Sequence, residues 1–149
     1  MAKLHISTDW WTAPAEAENG NLILVTGHRN MQNVRDTQKY IYRLEMTWTY
    51  EPDAKGMPDL ETSTLMEKVQ DAIEDCFMKD PTAVVTGIYT GDGLRNWVFY
   101  ARSLHIFQRK INEVLSTFPE LPLSFHAEED PNWEEYDEMC QTEIQDEEL

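Results

Sequence analysis

The chain has 149 residues, 41% hydrophobic and 11% aromatic, which fits one domain with a sizeable core and excludes a disordered composition. Its 28 acids against 12 Lys and Arg give a formal net charge of −16, and the last 39 residues hold 13 acids and no base (13 of 28 acids, so residues 1–110 net −3 and 111–149 net −13). Such a surface repels phosphates, which argues against direct nucleic acid binding, and favours a basic protein partner.

Two β-rich runs, "LHISTDWWT" and "NLILVTGH", open the chain around the polar loop "APAEAENG", and they are expected to extend or flank a sheet. Residues 39–50, "KYIYRLEMTWTY", alternate strictly. Tyr40, Tyr42, Leu44, Met46, Trp48 and Tyr50 share one face; Arg43, Glu45 and Thr47 share the other, which is expected to be wet. "EPDAKGMPD" ends this strand with Pro and Gly. Residues 60–78 place Leu65, Met66, Val69, Ala72, Ile73, Cys76 and Phe77 on one helical stripe, with Asp59, Thr62 or Thr64 available as caps. Cys76 on that stripe predicts a buried, inert thiol.

"PTAVVTGIYT" and "LRNWVFYAR" flank "GDG" and predict a hairpin. Ser103 caps a helix striped by Leu104, Phe107, Ile111, Val114, Leu115 and Phe118. "LPLSFHA" predicts a last strand, and Pro122 places it at an edge. From residue 39 the order strand, helix, strand, strand, helix, strand predicts an α+β, ferredoxin-like (split βαβ) antiparallel sheet. Two helices lie on one face, with two extra N-terminal strands and a short C-terminal helix. One domain spans residues 1–149, with a core at about 9–140 and an acidic tail at about 141–149.

The stretch "HAEEDPNWEEYDEMC" carries the densest chemistry. Placed on a calcium loop from Asp130, it puts Asn132, Glu134, Tyr136 and Glu138 at suitable positions. Glu135 then stands where the turn needs Gly, and Gln141 where the last ligand must be Glu, so an EF-hand is excluded. His5, His28, His105 and His126 have no metal-ligand spacing with each other or with Cys76 and Cys140, so no metal is expected, and His126 reads as a surface residue. Cys140 among carboxylates is a poor thiolate. Trp133 and Tyr136 are three apart and predict a short helix over "PNWEEYDEMC", with Asp130 as N-cap and Pro131 first. Its aromatics should pack inward, and Glu134, Glu135, Asp137 and Glu138 should face water. Gly91, Asp92, Gly93 and Arg95 offer an anion-cradling loop, though a hairpin turn needs the same glycines. "GHRN" at 27–30 and the paired Trp10 and Trp11 match no mechanism. No phosphate loop, dinucleotide fingerprint or membrane-length apolar run occurs, the start lacks a signal h-region, and two Cys make no disulfide framework. A cytoplasmic domain without a cofactor or membrane contact is expected.

"DW" at 9–10, "NLILVTG", the aromatic strand to Tyr50, "VTGIYTGDGLRNWVFYAR" and "EEDPNWEEY", in this order, resemble the bacterial family known as domain of unknown function 695. The resemblance runs from about Asp9 to Tyr136. That family is similar, more distantly, to the regulator of ribonuclease E activity B, an acidic ferredoxin-like inhibitor that works by binding protein. The resemblance implies the fold and brings no catalytic residue with it. The expectation is therefore a non-enzymatic binding or regulatory domain with a basic protein partner, meeting it through Asp130, Glu134, Glu135, Asp137 and Glu138. The alternative is an enzyme or small-ligand domain using the sheet face or the Gly91–Asp92–Gly93 loop with Arg95.

Overall fold

The alternation in "YRLEMTWT" folds as a strand, because β-branched and aromatic side chains suit a pleated surface buried on one side. The computed structural model describes residues 4–148, and the side chains up to residue 143. Ten elements follow one another: β1 (Trp10–Glu16), β2 (Leu22–His28), α1 (Gln32–Asp36), β3 (Tyr42–Thr49), α2 (Leu60–Lys79), β4 (Ala83–Gly91), β5 (Leu94–Ala101), α3 (Leu104–Leu115), β6 (Leu123–Glu129) and α4 (Glu134–Glu148). The strands form one six-stranded sheet in the order β1-β2-β4-β5-β3-β6, and every pairing is antiparallel. The fold is mixed α+β. No helix among the described residues is long and apolar enough to cross a membrane.

Both faces of the sheet carry a core. On one, Leu44, Met46 and Trp48 of β3, Val85 and Ile88 of β4, and Trp97 and Phe99 of β5 meet α2 and α3. Met66, Val69, Ile73 and Phe77 are the buried side of α2, and Phe107 and Ile111 belong to that of α3. Phe77 stacks on Phe107 at 5.8 Å, and Phe99 meets Phe107 edge-on at 4.9 Å. The caps are the expected ones: the Asp59 side chain accepts the Thr62 N–H at 2.8 Å, and Ser103 accepts that of Ile106 at 3.3 Å.

The opposite face gathers Trp11, Val25, Val34, Tyr40, Val84, Val98 and Tyr100 beneath Trp133, Tyr136 and Met139. This corrects the expectation of a face open to water along its whole width: α1 and α4 cover part of it. Tyr40 precedes β3 and joins this second core, so it leaves the face that Leu44 and Met46 share. Trp10 and Trp11 are neighbours on a strand and therefore point to opposite faces. Trp11 packs so closely on β2 that a Cβ at Gly27 would lie 2.2 Å from its ring.

Three further expectations are revised. Cys76 is only half-buried, because it lies at the border of the α2 stripe whose centre is Ile73 and Phe77. Helix α4 starts three residues later than "PNW" suggested and continues to Glu148, through the stretch expected to be a tail. Finally, β6 is the predicted edge strand, with Pro122 just before it, but its apolar residues are poorly covered: Phe125 is 48% exposed.

Candidate functional site

The chemistry of "HAEEDPNWEEYDEMC" concentrates where β6 turns into α4 and lies against β3. Asp130 is 5% exposed and takes four bonds through its carboxylate. Its Oδ1 accepts the Glu134 N–H (2.9 Å), and its Oδ2 accepts the Glu135 N–H (3.2 Å), the Tyr100 hydroxyl (2.7 Å) and Arg43 Nη1 (3.1 Å). The side chain thus satisfies amides that open α4, the role an N-cap performs, although the helix itself begins only at Glu134. Burial alone would raise its carboxyl. The bonds from Tyr100, the two amides and Arg43 outweigh burial and hold it below the usual range.

Trp133 makes the turn possible. Its φ of +57° bends the chain from β6 into α4. Such a conformation is strained for a bulky residue and persists only where the surroundings fix it. Here the indole N–H donates to the Tyr40 carbonyl at 2.8 Å, and the ring stacks on Tyr100 at 4.2 Å and meets Tyr136 edge-on at 5.4 Å. The Tyr136 hydroxyl donates to the His28 carbonyl at 2.7 Å. Both aromatics point inward, as the spacing predicted.

Glu135 departs from the expected water-facing set. Its Oε1 accepts the Tyr89 hydroxyl at 2.6 Å, and its Oε2 is buried with no hydrogen-bond partner. Burial pushes its carboxyl up, against the Tyr89 bond and Arg43, and Glu45 and Asp130 add to the rise. Asp130 and Glu135 are thus pushed in opposite directions by their surroundings. Arg43 ties the cluster together: Nη2 meets Glu128 at 2.8 Å, and Nε lies 3.6 Å from Glu45. Glu45 in turn accepts the Asn96 amide at 2.9 Å.

Glu134, Asp137 and Glu138 lie on the exposed side of α4. Asp137 is 3.5 Å from Arg35, a contact worth little at a wet surface. His126 is exposed, with Nε2 2.8 Å from Glu128. Together with Glu45 these two present ligand atoms within 4.8 Å of one another. The Arg43 guanidinium already lies against both carboxylates, so the protein itself supplies the positive charge that a cation would bring.

The hairpin loop is occupied by its neighbours. Asp92 and Gly93, the two residues between β4 and β5, have φ of +54° and +86°, as the turn requires. Asp92 accepts amides from Asn19 (3.0 Å) and Asn21 (2.9 Å), which hold its carboxyl below the usual range. The Gly93 N–H donates to the Gly56 carbonyl at 3.1 Å. Arg95 donates to Thr90 at 2.8 Å and lies 5.8 Å over the Trp97 ring. These residues brace three loops together.

A cavity of about 210 Å³ is lined by Trp10, His28, Glu74, Phe77 and Met78 among others, below the roughly 300 Å³ at which ligand pockets begin. Trp10 stacks on His28 at 4.1 Å, and the two ring nitrogens of His28 face the carbonyls of Val85 (2.7 Å) and Ser7 (2.5 Å). This gives "GHRN" and the paired Trp residues a structural role. Sequence reasoning missed Arg43, Tyr89 and Tyr100 as members of the acidic cluster. The available signal was alternation, which puts Arg43 and Glu45 on one face of β3.

A small α+β domain with a covered sheet, a buried carboxylate–tyrosine–arginine network and an acidic outer helix is the class these features define. The model of a family of unknown function, DUF695, matches residues 9–139, and the chain belongs to that family. No curated protein and no solved structure matches it.

Proposed function

We propose that this domain is a cytoplasmic, non-enzymatic binding or regulatory module that meets a basic protein partner through the outer face of α4. One observation carries the reading. Trp133, Tyr136 and Met139 fix one side of the helix in the core, while Glu134, Asp137 and Glu138 stand exposed on the other. The acids are thereby held in place on a rigid element, and a fixed array of like charge speeds encounter with a basic surface. We read the central β3-α2-β4-β5-α3-β6 unit as a ferredoxin-like split βαβ. The strand order β4-β5-β3-β6 supports this, as does the shared core of α2 and α3. A distant kinship with the bacterial regulator of ribonuclease E activity B belongs to the same reading and agrees with a protein-binding role.

The test is capture of partners from a native lysate on wild type and on a Glu134→Gln, Asp137→Asn, Glu138→Gln variant. Basic proteins should be enriched on wild type at low salt, and lost both on the variant and at high salt. Equal capture by the two proteins would overturn the reading. A second reading, a small-ligand or catalytic site on the sheet face, is favoured by the partnerless Glu135 Oε2 beside the oppositely shifted Asp130. A small molecule retained by wild type and lost on Glu135→Gln, with protein capture equal on the two, would favour it.

A further inference from the structure

We infer that the free edge of β6 accepts one strand of an extended partner segment in which basic and apolar residues alternate. This goes beyond the outer face of α4, which packs over β1, β2 and β4, and concerns the opposite edge of the same sheet.

Strand β6 ends the sheet. Two bonds at its ends fix which of its backbone groups are used. Thr49 N–H donates to the Pro122 carbonyl at 3.3 Å, and Asp130 N–H donates to the Ile41 carbonyl at 2.8 Å. Even-numbered residues of β6 therefore face β3, and the register of Leu44 opposite Ala127 and Met46 opposite Phe125 agrees. Backbone groups alternate in an antiparallel strand, so the N–H and C=O of Phe125, Ala127 and Glu129 point away from the sheet, as does the C=O of Leu123, whose N–H is held by the Leu121 carbonyl at 2.8 Å. Six of the seven residues of β6 are exposed. A long exposed edge of this kind is a template for another strand.

The two faces beside that edge differ in chemistry. On the α3 side, a groove of about 320 Å³ is lined by Leu44, Leu104, Phe107, Ile111, Phe125 and Ala127 together with Gln108 and Asn112. Leu104 and Phe125 are 40% and 48% exposed there, an apolar floor with room for side chains. On the other side stand His126 and Glu128, next to Glu45 and Arg43 of β3. One guanidinium serves Glu45, Glu128 and Asp130, so that side stays negative. An added strand presents its side chains to the two faces in turn. Apolar residues at every second position would fill the groove, and Lys or Arg at the others would meet Glu128 and Glu45. A second copy of this chain fits less well, since each copy brings a net charge of −16 and its own Glu128 and Glu129 to the same edge.

The probe is a blocked peptide of about ten alternating Val and Lys residues, the length of a long strand. It is compared with a block isomer of the same composition and with a version N-methylated at alternate amides. Binding is followed by titration at low and high salt, and amide hydrogen exchange is measured at Phe125, Ala127 and Glu129. The alternating peptide should bind about tenfold more tightly than the block isomer and protect those three amides, and the N-methylated peptide should not protect them. Ala127→Pro removes an outward donor and leaves the β3 ladder intact, so it should abolish the protection while β6 stays paired. If that variant fails to fold, the N-methylated peptide gives the same answer on wild type. Equal binding by the block isomer without amide protection would overturn strand addition and leave the acidic-surface reading standing. No binding by either peptide at low salt would overturn the inference, and the capture experiment on the α4 variant decides the other reading separately. Protection that rises with protein concentration in the absence of peptide would overturn the inference in favour of a second copy.

Discussion

Glu135 and Asp130 show how two carboxylates a few residues apart acquire opposite consequences. Burial raises Glu135 from its ordinary 4.5, so the folded state holds its proton more tightly than the unfolded chain does. The cost of ionising it is absent below the unfolded value and grows as pH rises toward the folded one. Glu135→Gln should therefore raise Tm at neutral pH, and the gain should vanish in melts below about pH 4.5, where both states are protonated. Asp130 is lowered from its ordinary 3.8, so its contribution is present above that value and is lost as pH falls through the folded one. Asp130→Ala leaves Arg43 with Glu128 and Glu45 but removes the buried acceptor of the Tyr100 hydroxyl and of two α4 amides, and should cost about 1–3 kcal/mol at neutral pH in denaturant unfolding. Two glycines give a second contrast. A Cβ at Gly27 meets the fixed Trp11 ring, whereas one at Gly87 meets the flexible end of Met139. Gly27→Ala should lose about 1–3 kcal/mol, and Gly87→Ala less, in the same measurement. None of this was legible in the residues themselves. "WEEYDE" reads as a solvated run, and only the fold reveals that one acid of the run lies over Tyr89.

Among the elements, α4 separates two jobs along a single helix. Trp133→Ala removes a fully buried ring, its bond to Tyr40 and its stack on Tyr100, and should destabilise the domain by about 3–5 kcal/mol in chemical unfolding. Neutralising Glu134, Asp137 and Glu138 should change stability by no more than about 0.5 kcal/mol, because exposed charges contribute little. Elements with a clean period were readable in advance. The α2 stripe through Met66, Val69, Ile73 and Phe77, the caps Asp59 and Ser103, and the alternation of β3 all carry local signals that agree with the final packing. Helix α1 has five residues, too few for a period to show, and went unseen. The second core was also hidden. Its members Trp11, Val25, Tyr40, Tyr100 and Trp133 come from five separate segments, and no window of sequence contains the pattern.

At the scale of the whole molecule, the charge of −16 acts against compactness through self-repulsion. Screening shortens the reach of that repulsion to about 8 Å at physiological ionic strength, so Tm should rise when salt is increased from about 0.01 M to 0.15 M in calorimetry. A domain indifferent to salt would show that Arg43, against Glu45, Glu128 and Asp130, and Arg29, against Asp9 and Glu143, already balance the acids that matter. The sheet with a core on each face has a further consequence, in time. The layer of α2 and α3 is complete once β6 has formed, since its buried members lie between Leu44 and Ile111 and the residues packed against them, Trp10 and Tyr42 included, end at Leu123. The other layer waits for α4, which follows every strand in the chain, and the Tyr136–His28 bond closes across 108 residues. A nascent chain halted after β6 would hold one finished layer and leave Trp11, Val25, Val98 and Tyr100 bare on the other. Contacts of such long range are slow to form, so during synthesis this uncovered side is where chaperones would engage the chain and where premature termination would lead to aggregation.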